Sequence, residues 1–265
     1  MALVLIRGSG DIGSAVALRL RQAGHRVVVH DDPRPGHHRR GMAFTDAFFE
    51  GTATLDGQRA KRARRIEDLA PMVACGHAIP VSDADFREVA AALGPDALVD
   101  ARMRKHAPPE PLRGQAPLAV GLGPGFVAGE HADVVVETAW GEALGAVIRA
   151  GAARALAGDP RPIDGHGRDR YVYSPVAGIF RTGLAIGARV GEGDEVARIG
   201  DCAVLAPISG VLRGLTHDGA QVRVGAKVVE VDPRGDCAAA FGVGERPDRI
   251  AAGVVTAVAE ALGRG

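Results

Sequence analysis

The chain has 265 residues, of which 46% are hydrophobic and 24% charged, which is close to the composition of soluble globular proteins. Its 32 basic residues equal its 32 acidic residues, so no overall charge draws it to nucleic acid or to an anionic membrane. No apolar run approaches the ~20 residues of a spanning helix, and the first residues lack the basic start of a signal peptide. The three cysteines are too dispersed for a zinc ribbon or a disulfide framework. We therefore expect a soluble, cytoplasmic protein with no nucleic-acid partner, no membrane partner and no bound metal.

The first elements follow a strand, turn, helix, strand pattern. An apolar run at 2–6 precedes a glycine-rich turn at 8–13, an amphipathic helix ends near Gly24, and the run at 26–30 predicts a second strand. In such a βαβ unit the glycines let the backbone approach a pyrophosphate, and the acid after the second strand binds a ribose. The layout predicts a dinucleotide-type site whose residues in this part of the chain are Gly8, Gly10, Asp11, Gly13 and Asp31.

Asp11 does not fit an ordinary dinucleotide site. A carboxylate in this turn suits the positive end of the helix dipole, but it occupies the place that a pyrophosphate would take. Either Asp11 turns outward, or the ligand is bound in another way than in dehydrogenases. The cofactor stays open between NAD(P) and a molybdopterin-type nucleotide.

Further apolar runs at 96–100, 117–122 and 133–137 predict buried strands, and helical spacing is found at 85–93 and 142–155. Continuous apolar strands are typical of a parallel sheet that is covered on both faces. The predicted fold of residues 1–157 is therefore a Rossmann-like, doubly wound parallel sheet.

A Gly-, Pro- and charge-rich segment at 158–170 predicts a linker. After it, residues 175–181 match 207–213, a shift of 32 positions that also relates 190–196 to 222–228. Two such copies predict a small all-β domain over 171–233 that resembles the barrel-sandwich hybrid domains carrying biotin or lipoate. The hairpin between the copies has no lysine, so we expect a scaffold or interaction surface. Residues 234–265 are predicted to hold a helix that packs back on the α/β domain.

Ligands of open parallel sheets bind beyond the carboxyl ends of the strands. The runs at 96–100 and 117–122 are followed by a charged segment and by a second glycine-rich loop, which could hold an anion by backbone N–H groups and one guanidinium. No catalytic nucleophile is evident, Lys105 and His106 are the best-placed proton donors, and the His37-His38 pair is predicted to be loop surface. The further candidate residues are Asp100, Arg102, Gly121, Gly123 and Gly125.

Several stretches resemble one bacterial family, the selenium-dependent molybdenum hydroxylase system proteins. They are LIRGSGDIGSAVALRL at 5–20, RRGMAFTDAFFEG at 39–51, LVDARMRK at 98–105, VGLGPGFVAGEHADVVVET at 120–138 and APISGVLRGL at 206–215. The resemblance implies an accessory role in maturing or supporting a molybdenum hydroxylase of the xanthine dehydrogenase kind. It brings no catalytic residue to this chain.

Two functions follow. In the first, the protein binds a nucleotide- or pterin-type anion in the crevice and docks on a molybdenum hydroxylase or its maturation machinery. In the second, it is an NAD(P)-dependent oxidoreductase with an appended β-domain. Whether it catalyses a reaction, and whether it forms a homo-oligomer, the sequence leaves open.

Overall fold

The structure, a computed structural model, describes residues 1–104, 107–155, 158 and 160–263. Its first half is dominated by one large sheet. The strands described there, in chain order, are β1 (Leu3–Arg7), β2 (Arg26–His30), β3 (Thr52–Leu55), β4 (Gln58–Arg62), β5 (Ile79–Ser82), β6 (Ala97–Asp100), β7 (Leu118–Leu122), β8 (Val127–Ala128), β9 (Val134–Val136), β10 (Val147–Ile148) and β11 (Gly151–Ala152).

The large sheet has nine strands in the order β10-β9-β7-β6-β1-β2-β5-β4-β3, and β8 pairs with β11 in a separate ribbon. The seven inner strands run parallel to one another. The edge strands β3 and β10 are antiparallel to β4 and β9. The sheet is therefore mixed, with an antiparallel strand at each edge.

The predicted doubly wound parallel sheet is wrong in its edges and in its connections. Double winding needs a helical crossover between successive parallel strands. The described residues between β6 and β7 contain no helix, and β7 leads to β9 through the short strand β8. The helices of the described chain are α1 (Asp11–Gln22), α2 (Ala47–Glu50), α3 (Leu69–Cys75), α4 (Phe86–Leu93) and α5 (Glu245–Leu262), with short 3₁₀ turns at Arg40–Met42, Ile66–Asp68, Arg168–Arg170 and Cys237–Ala240.

The helix predicted at 142–155 is also wrong, because a buried carboxylate organises this segment as turns and short strands. Glu137, which is 3% exposed, accepts hydrogen bonds from the backbone N–H groups of Thr138 and Ala139 at 2.7 Å and of Arg154 at 2.8 Å. Gly145 adopts a φ of +85° there, which lies outside the range of a right-handed helix. The buried apolar residues of 142–155 are Leu144 and Ala153, which lie outside the short strands β10 and β11.

Two cores lie on opposite faces of the sheet because successive side chains of a strand point to opposite sides. Val4 and Ile6 of β1 pack with α1 and α5, whereas Leu3 and Leu5 pack with α3 and α4. Helix α5 lies against α1 and also covers β7 and β9. No helix in the described ranges is long and apolar enough to cross a lipid bilayer.

The second half of the chain forms two antiparallel sheets around a core that includes Phe180, Leu212 and Val222. Their orders are β12-β19-β17-β14 and β16-β15-β13-β18, and each takes strands from both copies of the repeat. The strands are β12 (Tyr171–Tyr173), β13 (Gly178–Arg181), β14 (Arg189–Val190), β15 (Glu195–Ile199), β16 (Cys202–Leu205), β17 (Gly210–Leu215), β18 (Gln221–Val222) and β19 (Lys227–Asp232).

The predicted barrel-sandwich hybrid is wrong as a separate, appended domain, because direct hydrogen bonds join these sheets to the first half of the chain. The N–H of Leu215 donates to the carbonyl of His38 at 2.7 Å, and Nε of Arg40 donates to the carbonyl of Leu215 at 2.7 Å. Residues 156, 157 and 159, at the predicted boundary, lie outside the described residues. The limits 1–157, 158–170, 171–233 and 234–265 stay a prediction.

Candidate anion-binding site

The glycine-rich turn between β1 and α1 is closed by the protein's own side chains. Asp31 accepts hydrogen bonds from Ser9 through its backbone N–H at 2.6 Å and its hydroxyl at 2.7 Å. The N–H of Asp11 donates to Nε2 of His37 at 3.1 Å. Two of the N–H groups that would cradle a pyrophosphate are thus bonded to the protein's own side chains, and Asp31 accepts hydrogen bonds from the turn. The assignment of this turn to a ligand stays a prediction.

Close packing explains the glycines of this turn without a ligand. A Cβ on Gly13 would lie 1.9 Å from the carbonyl oxygen of Gly8, and one on Gly10 would lie 3.0 Å from Nδ1 of His37. Gly8 has a φ of +108°, and a Cβ there would lie 2.9 Å from the backbone of Ala101 and Arg102. These three positions therefore need glycine so that α1, β6 and the His37 loop can approach the turn.

A buried charge cluster joins this turn to the antiparallel sheets. Arg39 donates to Asp11 at 3.1 Å and to both carboxylate oxygens of Glu230 at 2.6 and 3.1 Å. Glu230 is fully buried and also accepts a hydrogen bond from Arg170. Burial by itself raises the pKa of each carboxyl, but the neighbouring cations outweigh it and hold the pKa values of Asp11 and Glu230 below their usual range.

His37 and His38 lie in the loop after β2, but they are half-buried there and not at its surface as predicted. Their side chains are only 20% and 13% exposed, and Nε2 of His38 lies 3.5 Å from a carboxylate oxygen of Glu230. Burial lowers the pKa of His38 to about 4, although the nearby Glu230 carboxylate acts in the other direction. No group of three or more metal-ligating side chains is found among the described residues.

The structure brings Asp100 and Arg102 together at the carboxyl end of β6. Nε of Arg102 donates to the two carboxylate oxygens of Asp100 at 3.0 and 3.1 Å, and the backbone N–H of Arg102 donates at 3.1 Å. Asp100 is 4% exposed. The guanidinium is therefore held in one orientation by a buried carboxylate, and these hydrogen bonds raise the pKa of Arg102 against the effect of burial.

The second glycine-rich loop lies beside this pair. A Cβ on Gly123 would lie 3.2 Å from the Met103 side chain, and one on Gly125 would lie 3.6 Å from Pro109. Both glycines have positive φ values, +84° and +92°. Gly121 lies within β7, where a Cβ would collide with the Phe126 ring at 2.4 Å. Of the predicted site residues in the first part of the chain, Gly8 lies against the Arg102 backbone. Gly10, Asp11 and Gly13 belong to the turn after β1, which hydrogen bonds with His37 and Asp31 close.

Three arginines converge on one carboxylate at this edge of the sheet. Glu110 accepts hydrogen bonds from Nη1 of Arg7 at 2.7 Å, of Arg102 at 3.1 Å and of Arg104 at 2.8 Å. The Glu110 side chain is nevertheless 46% exposed. The hydrogen bond from Arg102, followed by that from Arg7, lowers the pKa of Glu110 to about 2 against the effect of burial. We call Arg7, Arg102 and Arg104 the arginine cluster.

Arg7 and Glu110 were missed at the sequence level. The position of Arg7 at the site was predictable, because Arg7 is the last residue of β1, and the ends of neighbouring parallel strands meet at one edge of a sheet. In the structure it pairs in register with Asp100 of β6. Its guanidinium also stacks on Phe86, 3.9 Å from the ring centroid. Glu110 carries no such signal, because its position depends on the path of a proline-rich loop. Lys105 and His106 lie outside the described residues.

A small pocket opens beside the arginine cluster. Its cavity volume is about 20 Å³, which is room for about one water molecule while Glu110 is bonded there. One side carries the charged groups of Asp100, Arg102, Arg104 and Glu110, and the other side is apolar. The apolar lining residues are Met103, Ala107, Pro108, Pro109, Leu122, Pro124 and Phe126.

Comparison with known proteins gives one curated relative and several structural neighbours. No protein-family model matches the chain. The chain is 38% identical over 256 residues to the Uncharacterized protein YqeB of Escherichia coli (strain K12). The match covers 97% of this chain and 47% of that protein, so the chain spans about half the length of the curated relative that it matches.

Among solved structures, the product-bound ectoine utilization protein EutE (DoeB) from Ruegeria pomeroyi is 16% identical, with 88% of this chain and 85% of that chain covered and a TM-score of 0.26. A succinylglutamate desuccinylase from Silicibacter sp. TM1040 is 17% identical, with coverages of 87% and 84% and a TM-score of 0.24. An aspartoacylase family protein from Mesorhizobium loti is 14% identical, with coverages of 88% and 85% and a TM-score of 0.25. The activities in these names belong to those proteins.

These comparisons correct the predicted family and function. No family model matches the chain, and the curated relative at 38% identity is described as an uncharacterised protein. The predicted membership of the selenium-dependent molybdenum hydroxylase system family is wrong, and so is the accessory role that it implied. The alternative, an NAD(P)-dependent oxidoreductase, is wrong as well, in keeping with the internally bonded turn after β1.

Proposed function

We propose that the protein binds a small organic anion at the arginine cluster. The observation that carries this proposal is the convergence of three guanidinium groups, from the ends of two neighbouring strands, on a single half-exposed carboxylate. Guanidinium groups present paired N–H donors that match the geometry of carboxylate and phosphate oxygens. Such a convergence at the carboxyl edge of a largely parallel sheet is where ligands of these folds bind.

The charge balance of the site favours an anion. Arg7, Arg102 and Arg104 carry three positive charges, and Asp100 and Glu110 carry two negative charges. Asp100 is buried and fixes Arg102, whereas Glu110 lies at the exposed side of the cluster. An anion that approaches from solvent therefore meets an excess of positive charge that is already oriented, so little ordering of side chains is needed on binding.

The apolar side of the pocket indicates a ligand with a hydrocarbon part. Leu122 and Phe126 are nearly fully buried and Met103 lies beside them. Met103 also has a φ of +53°, a conformation that costs roughly 1–2 kcal/mol in a non-glycine residue and that is found preferentially at functional sites. The pocket thus combines an anion subsite with an apolar wall.

Calorimetric titration with acetate, butyrate and phosphate at low salt tests the proposal. Arg102→Lys keeps the charge but loses the two-pronged geometry, and we expect it to weaken binding about tenfold, the lower end of what charge-assisted hydrogen bonds contribute. Arg104→Met removes a half-exposed cation and is expected to cost about two- to fivefold. The matched control is Arg149→Met, since Arg149 is 58% exposed and pairs with Glu260 elsewhere.

The proposal predicts that binding weakens as salt is raised, because an exposed ion pair is screened within about 10 Å at 0.1 M. Thermal unfolding of each variant checks that it is folded. If no anion binds the wild-type protein at millimolar concentration, or if the control variant loses as much affinity as Arg102→Lys, the proposal fails.

A cytoplasmic location is part of the same proposal. The three cysteines, Cys75, Cys202 and Cys237, are free thiols, which suits a reducing compartment. Cell fractionation with thiol labelling tests this, and recovery of the protein outside the cytoplasm would refute it.

A further inference from the structure

The carboxylate of Glu110 is bonded as a ligand would be. One oxygen accepts from Arg102 and Arg104 at 3.1 and 2.8 Å, and the other accepts from Arg7 at 2.7 Å and lies 3.1 Å from Nη2 of Arg102. Both oxygens are therefore used, by residues that belong to two different strand ends. The site thus contains a carboxylate already, and this carboxylate belongs to the protein itself.

We propose that Glu110 is an internal stand-in for the carboxylate of the ligand, and that a small monocarboxylic acid with a short apolar chain displaces it from the arginine cluster. This inference rests on the proposed function and adds to it the class of ligand and the group that competes with it. Glu110 then sets a threshold for binding, because the interactions of a ligand with the arginine cluster have to be stronger than the hydrogen bonds that Glu110 gives up.

Exposure distinguishes Glu110 from the structural carboxylate beside it. Asp100 is 4% exposed and is bonded by both the backbone and the side chain of Arg102. The side chain of Glu110 is 46% exposed, so its own charge does not stay buried when it turns into solvent, and the carboxylate of the ligand then compensates the buried charges of Arg7 and Arg102, which are 11% and 10% exposed. Removing Asp100 from Arg102 would leave such a charge, which is costly. A ligand can therefore displace Glu110 from the arginine cluster, but it cannot displace Asp100.

The segment that carries Glu110 has few backbone ties of its own. Prolines occupy three of the five positions 107–111, and proline has no N–H to donate. Pro109 and Pro108 line the pocket, so the same segment that supplies the carboxylate also walls the apolar side. A displaced Glu110 side chain can move away while these prolines keep contact with the chain of the ligand.

The shape of the pocket selects the ligand class. The stem of Glu110 is two methylene groups, and Met103, Leu122 and Phe126 present apolar surface beside the arginine cluster. Once Glu110 has turned away, a three- to four-carbon acid takes the space of its stem and buries methylene groups against this surface, which favours a longer chain. Acetate has almost no chain to bury. Butyrate is therefore expected to bind more tightly than acetate, and phosphate less tightly than butyrate.

Glu110→Gln tests the inference, with titration of butyrate, acetate and phosphate into the full-length chain. If Glu110 occupies the cluster for about nine-tenths of the time, its removal raises the apparent affinity for butyrate about tenfold. Glu192→Gln removes an equal charge from an exposed residue in the turn between β14 and β15 and is expected to leave the affinity unchanged. Hydrogen exchange of the 107–112 backbone gives a second measurement, in which butyrate is expected to speed exchange in the wild-type protein.

The outcomes separate this inference from the function on which it rests. If neither the wild-type protein nor Glu110→Gln binds an anion, the proposed function fails. If the wild-type protein binds butyrate in an Arg102-dependent way but folded Glu110→Gln binds it equally or more weakly, the function stands and the stand-in role is overturned. If phosphate binds folded Glu110→Gln as tightly as butyrate does, the monocarboxylate class is overturned. Should Glu110→Gln fail to fold, Glu110→Asp, which shortens the reach to the cluster, is expected to give a smaller gain of the same sign, and no gain overturns the inference.

Discussion

Arg39, in the loop after β2, donates from Nε and Nη2 to the two carboxylate oxygens of Glu230, on β19, at 2.6 and 3.1 Å. The two residues are 191 positions apart, and Glu230 is fully buried. The same guanidinium bonds Asp11 at the start of α1. This one side chain therefore ties the antiparallel sheets to the glycine-rich turn of the mixed sheet.

We predict that Glu230→Gln strongly destabilises the protein. Removing one partner of a buried ion pair leaves an uncompensated buried charge and typically costs about 3–5 kcal/mol. Glu195→Gln is the control, because Glu195 is 46% exposed in its pair with Arg198, and such pairs contribute about 1 kcal/mol or less. Urea denaturation monitored by circular dichroism measures both. Equal losses for the two variants would show that Glu230 is not a structural centre.

The buried histidines make stability depend on pH. Burial, the first cause, lowers the pKa of His38 from 6.5 to about 4, and His38 faces Glu230, His37 and Arg39. Between these pH values the unfolded state binds more protons than the folded state, so stability rises with pH and is lost as pH falls from about 6.5 to 4. The pKa values of His37 and His30 are also lowered, which adds to this trend.

The variant His38→Gln removes part of the pH dependence of stability, and its side-chain amide still places an N–H donor near Glu230. We expect its melting temperature to fall less steeply than that of the wild-type protein between pH 6.5 and pH 4.5, as measured by scanning calorimetry. A variant slope equal to the wild-type slope would mean that His38 titrates normally in the folded protein.

Gly13 tests the packing role assigned to the glycine-rich turn. A Cβ there would lie 1.9 Å from the Gly8 carbonyl oxygen, so Gly13→Ala has to shift α1 away from the turn and is expected to cost about 1–3 kcal/mol or more. Gly24→Ala is the control, because Gly24 has a φ of +86° with open space around it, and the backbone strain alone costs about 1–2 kcal/mol.

Thermal and urea unfolding of both variants give the comparison. Gly13→Ala is expected to be the more damaging change, although Gly13 has an ordinary φ and lies in a helix, where alanine is normally favoured. An increase in stability for Gly13→Ala would refute the packing account and would return the glycine to a ligand-binding role.

Local apolar runs were the part of the fold that the sequence predicted well. Residues 26–30 form β2 and residues 86–93 form α4, close to the predicted limits. The hairpin of β3 and β4 was missed, although its Asp56-Gly57 turn is a known hairpin signal, because the flanking strands are largely polar. That hairpin is one of the two features that make the sheet mixed.

The residues described around the candidate site also fall into those that the sequence predicted and those that it did not. Asp100 and Arg102 follow a buried strand, so their place at the sheet edge was predictable from the rule for parallel strands. Glu110 and Glu230 were not, because each reaches its partners through long-range chain paths that leave no periodic pattern. The glycines of the first turn also satisfy contacts within the protein that are invisible in one sequence, so the ligand-binding role of that turn stays a prediction.

The most direct test of anion binding at the arginine cluster is a crystal structure of the protein soaked with 3-bromopropionate, in which anomalous scattering locates the bromine. The account predicts a bromine peak between Met103 and Phe126, with the carboxylate within hydrogen-bond distance of the Arg102 and Arg104 guanidinium groups. A fully occupied bromine elsewhere, for example at the turn that contains Asp11, with the arginine cluster still bonded only to Glu110 and Asp100, would contradict it.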